Sequence, residues 1–254
     1  MNKVFLSVVI PSYDEMANLQ KGILDKIEHF LSRKNYTYEV IVSDDGSTDG
    51  SVEFVEKFIK ENPHFRLIKN SHLGKGGAVT KGMRKARGQY KLFMDMDQAT
   101  PIEEVDKLLP YFDPPDGGYD IVIGSRNSKR KGAPWTRILM ARGMMMLRGL
   151  IVGISGISDT QCGFKMFKGE TADTLFSKVH HLHQGFQKVA GSSVDAGFDV
   201  ELLYLAQKMG YKIKEVPVNW LYVETRRVSP IKDSIYGFMD LLKIKLKDIK
   251  GDYQ

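Results

Sequence analysis

Asp95 and Asp97 hold the most chemical promise in this chain. They stand two residues apart at the end of YKLFM (90–94), an apolar run that reads as a buried strand. In an extended chain, positions i and i+2 project to the same side, so both carboxylates can face one divalent cation. Mg²⁺ suits such a pair, because it takes one or two protein carboxylates and fills its shell with phosphate oxygens and water. The same residues can also be only the polar end of a strand that leads into a helix starting at Pro101, since so short a pattern recurs by chance.

Other loops carry related chemistry. In Gly74-Lys75-Gly76-Gly77 the glycines let backbone N–H groups approach phosphate oxygens at a helix start. The run has neither the P-loop spacing nor the dinucleotide fingerprint, and a tight strand–helix turn would use the same residues. Lys75 either belongs to this phosphate cradle or is a surface lysine. Asp44-Asp45-Gly46 can accept from a base N–H or a ribose hydroxyl, or it can form a turn with Ser47 or Thr48 as the helix cap. His180, His181 and His183 match no zinc spacing and read as part of a solvated loop. Cys162 reads as a packed small side chain.

The elements that must position these residues follow from hydrophobic patterning. Residues 4–10 read as a buried strand by their apolar, β-branched character, and 38–43, 65–69 and 90–94 read as the strands that follow. Between them lie helical patterns: Leu19, Ile23, Ile27, Phe30 and Leu31; then Val52, Val55 and Ile59; then residues 78–86. Strand–helix repetition with short connections predicts an α/β fold, a mostly parallel sheet with helices on both faces. Ligands of such sheets bind beyond the carboxyl ends of the strands, and the loops at 11–15, 44–49, 73–77 and 95–98 all follow strands, so they should converge on one edge.

The second half is less regular. Strands are expected at 120–124, just after the loop 159–165, and at 212–216 and 218–223 on either side of Pro217. Helices are expected over 134–153 and 198–209, the latter ended by Gly210. Residues 180–196, rich in Gly, Ser, Gln and His, read as a loop. A basic amphipathic helix is expected over 231–249, with Ile231, Ile235, Phe238, Leu242, Leu246 and Ile249 on one face and Lys232, Lys243, Lys245, Lys247 and Lys250 around it. Such a helix can lie in an anionic membrane interface or pack on the domain.

Composition narrows the classes. The chain has 254 residues, 42% of them hydrophobic and 27% charged, which is ordinary for a globular protein with a substantial core. A net charge of +6 favours anionic partners: nucleotide phosphates, acidic membrane surfaces or nucleic acid. We find no nucleic-acid recognition motif, and none is expected as partner. The single cysteine excludes an intrachain disulfide. Residues 4–10 do not read as a secretory signal, and no run of about 20 apolar residues is present for a membrane span. The expected place is cytoplasmic, peripheral to the cytoplasmic face of a membrane.

Taken in order, SVVIPSYDE (7–15), EVIVSDDGSTDGS (39–51), GKGGAV (74–79), DMD (95–97), IVIGSR (121–126), DTQCGFKMF (159–167) and GFDVELLYLA (197–206) resemble the family 2 inverting glycosyltransferases of the glycosyltransferase A-type fold. DMDQATP and DTQCGFK are most similar to the dolichyl-phosphate β-glucosyltransferase and polyprenyl-phosphate hexosyltransferase branch. The resemblance implies one glycosyltransferase domain over 1–254: a nucleotide-sugar half (1–125), an acceptor half (126–230) and the C-terminal helix (231–254). It implies UDP-glucose or a related nucleotide sugar as donor and Mg²⁺ or Mn²⁺ as cofactor. Pro11, Tyr13, Glu15, Asp44, Asp45, Lys75, Gly76, Asp95 and Gln98 would bind the donor, with Asp44 or Asp45 at the uracil end. Asp95 and Asp97 would hold ribose and metal. Gln98 stands where glycine is common in the family.

Asp97, Asp159 and Asp199 are the carboxylates assigned to catalysis. Asp199 occupies the position where the wider family often places its base; it can instead satisfy backbone donors at a helix start. The acceptor decides whether a base is needed. A sugar hydroxyl requires one, whereas a phosphate monoester is already anionic near neutral pH and requires cations to hold it. Arg126, Gln161, Lys165 and Arg227 are the residues assigned to the acceptor, the three cations because each lies in or beside a motif loop. The expected acceptor is a polyprenyl phosphate; the alternatives are a hydroxyl acceptor on a polysaccharide or glycoconjugate, and a non-catalytic nucleotide-sugar-binding scaffold.

Overall fold

The computed structural model describes residues 3–113, 115, 118–126, 147, 149–186, 196–221 and 230–253, with the backbone alone at 196 and 230–236. A seven-stranded sheet runs through the molecule: β1 (Leu6–Ser12), β2 (Tyr38–Asp44), β3 (Phe65–Lys69), β4 (Tyr90–Met94), β5 (Ile121–Ser125), β6 (Phe164–Lys168) and β7 (Ile213–Pro217). Their spatial order is β3-β2-β1-β4-β6-β5-β7. All pairings are parallel except those of β6, which runs antiparallel between β4 and β5.

The apolar run Val8–Ile10 of β1 is explained by helices on both faces. Val8 and Ile10 enter one buried cluster, with Leu24 and Ile27 of α2 (Ile23–Leu31) and Val55 of α3 (Ser51–Glu61). Val9, between them, enters the opposite cluster, with Val79 and Met83 of α4 (Gly74–Lys85). That second cluster continues into α6 (Gly169–Leu182), α7 (Ala196–Lys208) and α8 (Pro230–Lys250) through Phe176, Leu203 and Leu241. Successive strand residues point to opposite faces, so a strand sandwiched this way is apolar on both, with buried Ser7 satisfied by its bond to Glu39.

Several elements differ from expectation. The helix through Leu19 and Ile27 is two: α1 (Met16–Leu19) and α2 part at Gly22, whose φ of +71° no regular helix accepts. Helix α4 begins at Gly74, four residues earlier than the apolar pattern suggests. After Pro101 the chain makes a 3₁₀ turn, one α-turn, α5 (Val105–Leu108), and a second 3₁₀ turn rather than one helix. Residues 180–182 belong to the last turn of α6, because Val179 is buried against the core and carries the helix on. Residues 218–221 form no strand. Of the helix expected over 134–153, residues 147 and 149–151 are helical; the basic loop at 129–131 and Arg137 lie outside the described residues.

Candidate active site

The carboxyl ends of β1, β2, β4 and β5 and the amino end of antiparallel β6 share one edge of the sheet. The loops carrying Tyr13, Asp44, Asp45, Asp95, Arg126 and Asp159 therefore meet there. Three of the non-glycine residues with positive φ stand at this edge: Asp14 (+51°) and Gln98 (+48°) in these loops and His72 (+60°) after parallel β3. Backbone held in this region costs energy and concentrates at functional sites. A glycine at 98 would adopt that φ without the cost; here Gln98 holds it and donates from Nε2 to the Ile23 carbonyl at 3.3 Å.

At the β2 end, Asp44 is buried and accepts from the Gly46 and Ser47 N–H groups at 2.9 and 3.1 Å, closing its own turn. Asp45 accepts from the N–H groups of Leu73 (2.6 Å) and Gly74 (2.8 Å). It thereby satisfies donors at the start of α4, one of which, Gly74 N–H, belongs to the run expected to cradle a phosphate. Burial raises the Asp45 pKa above the ordinary range, against the opposing pull of these N–H donors and of His72. The His72 ring, bonded through Nδ1 to the Asp45 carboxylate at 3.1 Å, stacks on Tyr13 at 4.4 Å between centroids. His72 has no motif signal in the sequence; its place depends on two loops meeting.

The β1 loop is latched to the α3 loop. Asp14 donates its N–H to Ser47 Oγ at 2.9 Å and accepts from Thr48 N–H at 2.8 Å. Glu15 N–H donates to Ser51 Oγ at 3.1 Å. Pro11, half-buried, sits opposite Ser43 in the β1–β2 register.

Asp95 and Asp97 stand half-exposed after β4. Asp95 pairs with Lys75 Nζ at 2.6 Å, and Asp97 accepts from Ala99 N–H at 2.9 Å. Burial raises the Asp97 pKa, and the Asp95 charge beside it adds to the rise. Burial works against the charge on Lys75, but Asp95, Asp199 and Asp97 together outweigh it and hold the lysine protonated. Among the described residues no cluster of three or more His, Cys, Asp or Glu could cage a metal. Two adjacent carboxylates open to solvent nonetheless fit a divalent cation that completes its shell with phosphate oxygens and water. The glycine of the β6 loop makes room for the pair: a Cβ at Gly163 would lie 2.0 Å from Asp95 Oδ2.

Three residues assigned from sequence have a different setting. Gly76 does not stand clear for a ligand on its Cβ side, where a methyl would meet the Phe198 ring at 2.7 Å; the missing side chain lets α7 approach α4. Lys165 is wholly buried and bonds Asp199 Oδ1 at 2.5 Å and the Cys162 carbonyl at 2.6 Å, so it is a counter-ion within the protein rather than a cation presented to an acceptor. Arg126 forms a fork with Asp159, Nε to Oδ2 and an Nη to Oδ1, both at 2.7 Å. Burial alone would raise the Asp159 pKa; the Arg126 fork overrides it and holds the carboxyl at about 2. Glu215 of β7, which the sequence did not single out, fixes Asp159 N–H at 2.8 Å. Gln161 is exposed beside this cluster, and Arg227 lies outside the described residues, as does Arg226.

The chain matches glycosyl transferase family 2 over residues 7–187. It is 35% identical over 268 residues to a dolichyl-phosphate beta-glucosyltransferase of Dictyostelium discoideum, covering 99% of this chain and 77% of the relative. It is 34% identical over 265 residues to the Homo sapiens protein of the same name, covering 98% and 77%. Among solved structures, glucosyl-3-phosphoglycerate synthase from Mycobacterium tuberculosis, in complex with Mn²⁺, UDP and glucosyl-3-phosphoglycerate, superposes with a TM-score of 0.62 at 20% identity, covering 96% of this chain and 79% of that one. The fold is thus the glycosyltransferase A type, a mostly parallel sheet carrying its site on the carboxyl edge. The chain belongs to glycosyl transferase family 2 and is a glycosyltransferase.

Proposed function

We propose that this enzyme transfers glucose from UDP-glucose to a polyprenyl phosphate of the dolichyl class, with inversion at the anomeric carbon. The observation that carries this reading is near-full-length similarity to dolichyl-phosphate beta-glucosyltransferases. The donor half is 1–125 and the acceptor half 126–230. Tyr13, His72 and the buried Asp44–Asp45 turn bind the nucleoside end, and Asp95, Asp97 and Lys75 face the diphosphate. Asp95 and Asp97 would hold Mg²⁺ or Mn²⁺, whose chemistry there is to neutralise charge on the departing diphosphate.

The setting of Asp199 favours a phosphate acceptor over a hydroxyl. Its Oδ1 is committed to a buried ammonium at 2.5 Å, so that oxygen already serves Lys165 as a counter-ion. A phosphate dianion attacks without giving up a proton, so this carboxylate can position rather than deprotonate. The Arg126–Asp159 fork would stand beside the acceptor as a rigid wall, with Trp220 5.9 Å beneath the guanidinium.

Contact with the lipid phase is part of the proposal. No helix among the described residues is long and apolar enough to cross a membrane. On α8, however, Phe238, Met239, Leu242, Leu246 and Ile249 are exposed, Ile249 at 72%, while Leu241 and Ile244 face the core. Lys243, Lys245 and Lys250 lie beside this apolar ridge, which suits an anionic bilayer surface. The deciding experiment is product identification with UDP- and GDP-sugars, with and without polyprenyl phosphate, in Mn²⁺ and in chelator. A lipid-linked β-glucoside made only with UDP-glucose and metal is expected. Transfer to a simple sugar hydroxyl with none to the lipid would overturn the acceptor; full activity in chelator would overturn the metal.

A further inference from the structure

Asp95 is asked to do two things. It is half of the carboxylate pair that suits a divalent cation, and its Oδ1 accepts from Lys75 Nζ at 2.6 Å. An ammonium and a divalent cation sharing one carboxylate at such distances repel each other strongly. Lys75 and the cation therefore compete for Asp95. Opening the pair is feasible, because the side chains are 27% and 37% exposed and neither charge must leave a sealed interior. Lys75 sits in the first turn of α4 between Gly74 and Gly76, and its ammonium reaches across to Asp95. Resting on the nucleotide-diphosphate reading of this site, we propose that Lys75 couples the two ligands. It holds the divalent cation off Asp95 until the donor diphosphate offers the ammonium other oxygens, so cation and nucleotide each strengthen the binding of the other.

Coupling of this kind is reciprocal in binding free energy, so it can be read from the metal side. The measurement is Mn²⁺ affinity from the paramagnetic resonance signal of free Mn²⁺, with and without UDP, for the wild type, Lys75→Met and Lys75→Arg, each checked for cooperative thermal unfolding. Lys75→Gln replaces the Met variant if that chain does not fold. In the wild type UDP should tighten Mn²⁺ binding at least about fivefold. In Lys75→Met the UDP-free affinity should rise, and the enhancement by UDP should shrink by a factor of similar size. Lys75→Arg keeps the charge and should keep the weak UDP-free binding. Mn²⁺ affinity in Lys75→Met that equals or falls below the wild type without UDP would overturn the coupling while leaving the site reading intact. A wild type that binds no Mn²⁺ even with UDP would overturn both.

Discussion

Gly163 and Asp95 show how a site can hang on a missing methyl group. The carboxylate occupies the space a side chain at 163 would need, with Asp95 Cγ 2.4 Å from the ideal Cβ position. Gly163→Ala must therefore push Asp95 out of line with Asp97. A misplacement of about 1 Å at a reacting centre can cost roughly 100-fold in rate. A loss of that order in turnover, with a weakened Mn²⁺ signal, is expected in steady-state kinetics; wild-type turnover would show that Asp95 need not hold its place. Lys165 offers a second residue-scale test. Removing one partner of a buried ion pair costs about 3–5 kcal/mol, because the other charge is left uncompensated. Lys165→Met should lose stability on that scale in denaturant unfolding, and Lys165→Met/Asp199→Asn should regain part of it. The acidic motif loops could be read from the sequence because their spacing alone puts like residues together. The Lys165–Asp199 pair could not, since 34 residues separate its members and only the tertiary fold joins them. Gly76 shows a related limit: a glycine whose missing side chain lets α7 approach α4 has the same letter as one needed for a ligand.

The helices divide by what can be read along a single stretch. The apolar spacing of α8 foretold the face carrying Phe238, Leu242, Leu246 and Ile249, and that face is exposed. Which of its other residues pack inward was not legible, because Leu241 and Ile244 meet α7 only in three dimensions. Strand direction was equally hidden: β6 reads like its neighbours in sequence, yet it enters between β4 and β5 antiparallel, since direction is set by the connection and not by local residues. The exposed ridge should govern membrane contact without governing the fold. Phe238→Asp should weaken sedimentation with anionic vesicles while leaving the thermal midpoint near the wild type. Leu241→Asp should instead destabilise the protein, as a charge forced into a packed core does. Equal recovery of wild-type protein in the supernatant with and without vesicles would count against the membrane role of α8.

Across the whole molecule, buried carboxylates tie the elements together. Glu39 on β2 accepts from Ser7, from Arg66 and from a fork of Arg87, closing the edge of the sheet away from the site. Glu201, two residues beyond Asp199 on α7, accepts from His183 Nε2 at 2.6 Å, Lys247 Nζ at 2.8 Å and the Tyr253 hydroxyl at 2.5 Å. One carboxylate thus joins the end of α6, the C-terminal helix and the chain's last described turn to the helix that carries Asp199. Burial would raise the pKa of Glu201, but the His183 bond leads a set of partners that lowers it from 4.5 to about 2. A carboxyl lowered in the folded state binds its proton more readily when unfolded. Its contribution is therefore complete above the unfolded value and fades as pH falls from about 4.5 towards 2. Glu39 and Asp159 are lowered too and add to the same trend, whereas Asp45 and Asp97, raised by burial, oppose it. A shift of this size corresponds to about 3 kcal/mol at neutral pH. Glu201→Gln should lose stability of that order at pH 7, and its stability should fall less steeply than the wild type between pH 4.5 and 2 in urea unfolding. Parallel acid profiles for the two proteins would show that the bonds at Glu201 do not stabilise its charge.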